Sequence, residues 1–132
     1  MRFLCLIIFF ISSSSFALSN EEFDKQYLYL KSEATKAIFH KMISSRDYDD
    51  KKIPLSEKIE SQSAWCSLIK ANLNLLDLVN QNFSAYQFWL KQNNLEDNSS
   101  EDDIDKSIKT LAKSYIGCME NLKEFEKSKL KN

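Results

Sequence analysis

This chain of 132 residues contains only one glycine, Gly117, and one proline, Pro54. Glycine and proline are the two residue types that most often reverse the backbone. Sheet proteins carry turn residues about every 8–12 positions, so their shortage favours long helices joined by few loops. In the last third of the chain, apolar residues alternate at spacings of three and four, the period of one helix face. They are Ile104, Ile108, Leu111, Tyr115, Cys118, Leu122 and Phe125. The sequence therefore predicts an all-α fold, a small bundle of about four helices.

The same spacing predicts the other helices. The first is expected from Glu21 to about Ser45, with these residues turned inward: Phe23, Tyr27, Leu30, Ala34, Ile38 and Met42. The second begins in "PLSEKIE" with Ser56 as its cap. Its inward residues are Ile59, Cys66, Ile69, Leu73 and Leu76. This apolar face is widened by Trp65, Leu68, Leu75 and Val79. A short fourth helix, "SAYQFWLKQ", either continues the second helix or breaks from it near Asn82. "NSSEDD" then supplies an N-cap serine and first-turn acids for the last helix.

The first nineteen residues have the pattern of a secretory signal peptide. Arg2 precedes an unbroken apolar run from Phe3 to Ile11, and small residues follow, as a signal peptidase requires. The run is shorter than the roughly 20 apolar residues of a membrane-spanning helix. We therefore expect residues 1–19 to be a signal peptide and residues 20–132 a single helical domain. The mature protein is expected to be periplasmic or secreted, with no membrane insertion.

Two cysteines remain after the signal peptide, and both lie on inward stripes. In an exported protein such a pair is expected to form a disulfide, here between Cys66 and Cys118. Closing a loop of about fifty residues contributes about 4 kcal/mol in the chain-entropy model. That is a large share of the roughly 5–15 kcal/mol that stabilises a small domain. Two free buried thiols are the alternative.

Charge and composition exclude several function classes. The formal net charge is −1, which argues against a nucleic-acid partner, since that calls for a basic patch. His40 is the only histidine, so a cluster of several histidines around a metal is excluded, and a structural or solvated role is expected for it. Zinc-type Cys/His spacing, a phosphate-binding glycine loop and an H-E-x-x-H helix are all missing. We expect no cofactor, no metal and no enzymatic activity.

Acidic residues cluster before the last helix, at Glu96, Asp97, Glu101, Asp102, Asp103 and Asp105. An EF-hand is excluded, because the sixth loop position lacks glycine and the twelfth, Ile108, is not glutamate. A solvated loop and helix cap is the simpler interpretation. The alternative is a contact surface for a basic partner, since clustered acids accelerate association with cationic proteins.

The preceding segment, "NFSAYQFWLKQNN", concentrates aromatic residues: Phe83, Tyr86, Phe88 and Trp89. Core packing is the favoured interpretation, because a small helical domain must fill its centre with large side chains. A partly exposed binding hot spot is the alternative, for which Trp and Tyr beside polar residues are typical.

The residues around the two cysteines resemble the periplasmic immunity proteins of type VI secretion amidase effectors. In that family one cysteine lies in an early "A-x-C" helix and another in a C-terminal "C-[LM]-[DE]-x-[YL]" helix. The matching stretches here are "SAWCSLIKAN", with Cys66, and "GCMENLKEFEKSKL", with Cys118. The similar region covers Ser63 to Leu130. The segment before the second cysteine and the long first helix depart from the family pattern.

The resemblance implies an exported binding protein that inhibits a peptidoglycan-cleaving amidase toxin and has no catalysis of its own. It also implies that a homodimer can form. The contacts would lie on the loop Asn93–Asp103 and the aromatic segment. The candidate partner-binding residues are Tyr86, Trp89, Glu96, Asp97, Glu101, Asp102 and Asp103. Two other functions stay open: a lysozyme-type inhibitor, and a structural or chaperone-like envelope protein whose amphipathic helices hold partner helices.

Overall fold

The computed structural model describes residues 18–44 and 53–130, and this part of the chain folds into four helices without a strand. They are α1 (Asn20–Ser44), α2 (Leu55–Gln81), α3 (Phe83–Gln92) and α4 (Glu101–Lys129). The predicted all-α bundle is therefore confirmed. Most of the expected signal peptide and of the linker after α1 lies outside the described residues. None of the helices in the described ranges combines the length and the apolar character that crossing a membrane requires.

The long helix α2 is the centre of the bundle, and α1 and α4 both pack along it. Each runs antiparallel to α2. The backbone N–H of Leu18, just before α1, donates to Asn82 Oδ1 after the end of α2 (2.9 Å). At the opposite end, Lys41 Nζ lies 3.5 Å from Ser61 Oγ. The disulfide partner Cys118, late in α4, likewise meets the first half of α2.

Two groups of buried residues hold the helices together. The larger group joins the start of α1, the end of α2, α3 and the start of α4. It consists of Phe23, Tyr27, Leu78, Val79, Ala85, Tyr86, Trp89, Leu90 and Ile104. The smaller group joins the middle of α2 to α4 and consists of Cys66, Ile69, Leu73 and Cys118. Only the first group includes α3, so the two ends of the bundle differ in how fully their helix faces are covered.

The predicted disulfide between Cys66 and Cys118 is confirmed, with a Cα–Cα distance of 5.6 Å. This separation lies within the usual range of about 4.4–6.8 Å for disulfides. The buried Gln62 side chain supports the bridge, because its Nε2 donates to the carbonyl oxygen of Cys118 (3.1 Å). The bond is compatible with an oxidising compartment outside the cytoplasm.

The helix ends confirm one prediction, decide between two alternatives that the sequence left open, and correct a third expectation. Ser100 caps α4, and α2 and α3 are separated at Asn82. At that break the Asn82 amide Nδ2 donates to the Leu78 carbonyl (3.0 Å). Ser56 is not the cap of α2: the helix already begins at Leu55, and Pro54 takes the N-cap position. The fixed φ of proline suits a helix start and its missing N–H costs nothing there, so the helix begins one residue before the serine.

The inward stripe predicted for α1 is correct as far as Ala34 and wrong beyond it. Phe23, Tyr27 and Ala34 are buried, whereas Ile38 is 45% exposed and Met42 is 66% exposed. The reason is the length of α3. This helix has ten residues and meets only the first part of α1, so the same face of α1 has no covering helix further along in the described chain.

Trp65 of α2 is also mispredicted. It was expected to widen the inward stripe, but 43% of it is exposed. It lies in the half of the bundle that α3 does not reach.

Candidate functional site

The loop between α3 and α4 begins with a tight turn at the end of α3. Asn94 has a positive φ of 52°, a conformation that asparagine tolerates better than most residues. The turn lets the backbone N–H of Leu95 donate to the Leu90 carbonyl (3.0 Å) and that of Asn93 to the Trp89 carbonyl (3.1 Å). Backbone hydrogen bonds therefore fix the direction in which the acidic loop leaves α3.

Asp97 ties the middle of the loop to the core. Its Oδ2 accepts a hydrogen bond from the Tyr86 hydroxyl (2.7 Å), and its Oδ1 accepts one from the Ser99 N–H (2.9 Å). The bond from Tyr86, followed by those from Ser99, lowers the pKa of Asp97 below its usual value. Burial, followed by the bond to Asp97, raises the pKa of Tyr86. A phenol that keeps its proton and a carboxyl that stays ionised form a strong hydrogen bond.

Asp103 forms part of the hydrogen-bonded cap at the start of α4. Its Oδ2 accepts from the Ser100 hydroxyl (2.6 Å) and backbone N–H (3.1 Å), while its own N–H donates to Ser100 Oγ (3.2 Å). This is a capping box, which satisfies backbone donors that the helix start otherwise leaves unpaired. The Ser100 hydroxyl lowers the pKa of Asp103. The loop is thus fixed at its end as well as at its middle.

The other three predicted acids point into solvent. Glu96, Glu101 and Asp102 are all exposed. Asp102 forms an ion pair with Lys106 (2.6 Å), but both side chains are largely exposed, and such pairs contribute little stability. These three carboxylates therefore stay accessible to a partner, while Asp97 and Asp103 hold the loop in shape.

Tyr86 and Trp89 are buried, as the core interpretation of the aromatic segment expects. The two rings pack around Tyr27, with centroid distances of 5.7 Å and 4.6 Å. Trp89 Nε1 donates to Asp24 Oδ1 (2.6 Å), so its polar group is satisfied inside the bundle. Both residues hold the loop and its supporting helix in position. Direct contact between these two side chains and a partner stays a prediction.

Two apolar residues beside the acids were not among the predicted contacts. Phe88 is 43% exposed and Leu95 is 47% exposed. Phe88 and Glu101 line the same shallow depression, of about 440 Å³. The helical period could have identified Phe88 from the sequence. Phe88 is one residue from Trp89 and two from Tyr86, so it cannot share the helix face on which those two buried residues lie. We call Phe88, Leu95, Glu96, Glu101 and Asp102 the acidic surface.

A larger groove of about 640 Å³ runs between α1 and α4 across α2. His40 lines it together with one carboxylate, Glu33, which is paired with Lys36 (2.7 Å). The sulfur of Cys66 at this groove is held in the disulfide and offers no thiol nucleophile. Within the described ranges, no three His, Cys, Asp or Glu side chains are placed to hold a metal ion.

Comparison of the chain with protein-family models, curated proteins and solved structures finds no match.

Proposed function

We propose that this protein is an exported inhibitor that binds a peptidoglycan-cleaving amidase through the acidic surface and performs no catalysis itself. The observation that supports the proposal is that the five predicted acidic residues have two different structural roles. Asp97 and Asp103 are spent on hydrogen bonds within the loop, and Glu96, Glu101 and Asp102 are presented to solvent. A loop that is already ordered loses little entropy when it binds, which favours affinity.

The chemistry of the surface suits a target with a basic rim around a cleft. Three carboxylates steer a cationic partner towards the loop and speed association. Phe88 and Leu95 supply apolar contact area beside the charges, the combination of anchor and polar rim that binding hot spots use. The choice of an amidase as the target rests on the resemblance around the two cysteines. That resemblance also implies that the protein is exported to the periplasm and that residues 1–19 are removed.

A charge-reversal experiment tests the proposal. We expect E96K/D102K to weaken binding to a purified type VI amidase effector by at least about tenfold, with a shallower salt dependence, as measured by titration calorimetry at several salt concentrations. The melting temperature should fall only slightly, because neither side chain makes a capping hydrogen bond and the exposed Asp102–Lys106 ion pair contributes little stability. Unchanged affinity would remove the acidic surface from the interface.

A matched control separates local contact from net charge. E60K/E126K makes the same change in net charge at two exposed glutamates of α2 and α4 that lie outside the acidic surface. We expect this variant to bind the amidase almost as tightly as the unmodified protein. Lysozyme, a strongly basic enzyme, serves as the second target, since binding to lysozyme alone would favour the lysozyme-inhibitor function.

The groove across α2 favours a second candidate function, an envelope protein that holds partner helices. Its lining includes Tyr29, Tyr115, Met119 and Leu122, which offer apolar area to an amphipathic helix. M119K places a charge in this lining. If the groove holds helices, the variant should lose binding of a fluorescent amphipathic peptide, measured by anisotropy, while amidase binding is unaffected.

A further inference from the structure

Two neighbouring peptide bonds fit the sequence pattern that a signal peptidase reads. The pattern has small residues one and three positions before the bond that is cut. Ser15 and Ala17 meet this rule for the bond before Leu18. Ala17 and Ser19 meet it for the bond before Asn20, which corresponds to a leader of residues 1–19. Because the sequence pattern fits both bonds, the choice depends on which residues the folded domain uses.

Ser19 forms the N-terminal cap of α1 together with Glu22. The Glu22 carboxylate accepts hydrogen bonds from the Ser19 hydroxyl (2.7 Å) and backbone N–H (3.1 Å), and the Glu22 N–H donates to Ser19 Oγ (3.3 Å). The Phe23 N–H donates to the Ser19 carbonyl (2.8 Å). This is a capping box of the same kind as that of Ser100 and Asp103 in α4. Cleavage after Ser19 would remove the box and place a positive charge at the start of the helix, where the helix dipole disfavours it.

Leu18 attaches the start of α1 to the point where α2 and α3 meet. Its backbone N–H donates to Oδ1 of the buried Asn82 (2.9 Å). Asn82 Nδ2 donates to the Leu78 carbonyl (3.0 Å), which holds the amide with its oxygen towards Leu18. The Leu18 side chain packs against the larger group of buried residues. A leader that is discarded contributes nothing to the mature fold, so we expect a residue with these contacts to be retained.

We infer that the signal peptidase site lies between Ala17 and Leu18, so that the mature protein consists of residues 18–132. The inference rests on the export that the proposed function includes, but not on the acidic surface or on the identity of the target. Hydrolysis by the peptidase breaks the bond between the carbonyl carbon of Ala17 and the nitrogen of Leu18. Water supplies the hydroxyl of the new Ala17 carboxyl group and a proton of the new Leu18 amino group.

The new amino group is formed where a hydrogen-bond acceptor is already in place. An α-amino group is mostly protonated at neutral pH, and a charged donor makes a stronger bond to Asn82 Oδ1 than a backbone N–H does. Leu18 also lines the depression that contains Phe88 and Glu101 of the acidic surface. The mature N-terminus is therefore part of the bundle, held at the break between α2 and α3 and next to the acidic surface.

N-terminal sequencing and intact-mass measurement test the site directly. The full chain with its own leader is expressed in a bacterium that has a periplasm, and the protein is purified from the periplasmic fraction. We expect a chain that begins with "LSNEE", at Leu18. Periplasmic protein that begins at Asn20 or at any other residue overturns the inference and leaves the proposed function standing. Chains that all keep Met1 and never reach the periplasm overturn the inference together with the export.

Ser15 and Ser19 each belong to only one of the two sites, so they provide a matched pair of variants. S15L places a bulky residue three positions before Leu18 and should raise the fraction of uncleaved precursor in a pulse–chase experiment. S19L places the same residue directly before Asn20 and should leave both the rate of processing and the start at Leu18 unchanged. The inference is overturned if S19L slows processing as much as S15L does.

Alanine is as small as serine, so S19A allows cleavage at either bond and separates the two sites through stability. If Ser19 is retained, S19A removes the capping hydroxyl of α1 and should lower the urea midpoint of the purified protein. S19T, which keeps a hydroxyl, should lower it less. If Ser19 leaves with the leader, both variants give the same mature protein as the unmodified chain, and identical midpoints would refute the assignment.

Discussion

Replacing both bridge cysteines by alanine removes the one covalent link between α2 and α4. The bridge joins residues 52 positions apart. The chain-entropy model assigns the closure of such a loop about 4 kcal/mol at 25 °C. We expect C66A/C118A to lower the free energy of unfolding by about this amount, a large part of the roughly 5–15 kcal/mol of a small domain.

Urea unfolding followed by far-UV circular dichroism measures the change, at one protein concentration so that self-association does not shift the midpoint. The slope of the transition should also rise, because the unfolded chain without the bridge exposes more surface. The unmodified protein kept in reductant is the matched control, since it loses the bond but keeps both sulfur atoms. Any further loss in C66A/C118A then measures the cavity that the missing sulfurs leave.

Two results would refute this reasoning. A loss below about 1 kcal/mol in the reduced protein would show that the bridge barely restrains the unfolded chain. Alkylation of both thiols in protein purified without reductant would show that the bond does not form at all.

The remaining predictions concern polar contacts that hold the loop and α3. Y86F should cost about 1 kcal/mol through the lost bond to Asp97. The pKa of Asp97 is lower in the folded than in the unfolded state, so ionised Asp97 stabilises the fold above its unfolded pKa, and this stabilisation is lost as pH falls through the folded pKa. Y86F should therefore flatten the decline in stability below about pH 4 in acid titrations. D103A should lower the melting temperature, because it removes the Asp103 carboxylate from the capping box with Ser100, whereas D103E, which keeps a carboxylate at this position, should lower it less. D24A should cost about 1–3 kcal/mol by leaving Trp89 Nε1 unpaired, and D24N, which keeps an acceptor oxygen, should recover part of it in urea unfolding.

The parts of the fold that depend on neighbouring residues were predictable. The spacing in α4 identified Ile104 and Cys118, which are buried, and the Ser100–Asp103 capping box lies within four residues. The exposure of Ile38 and Met42 was not predictable, because their spacing is the same as that of buried Phe23 and Tyr27. What separates them is where the short helix α3 ends, and that is a property of the assembled bundle.

The candidate site, like the fold, was predictable only where it depends on residues close together in the sequence. The position of the acids between two helices was predictable from composition and capping patterns. Which of them the loop uses internally was not, since Asp97 bonds to a tyrosine eleven residues earlier and across a turn at Asn94. Trp89 pairs with Asp24, 65 residues away. Buried tyrosine and tryptophan need polar partners, so the existence of such bonds was expected on principle, but the partners were set by tertiary packing.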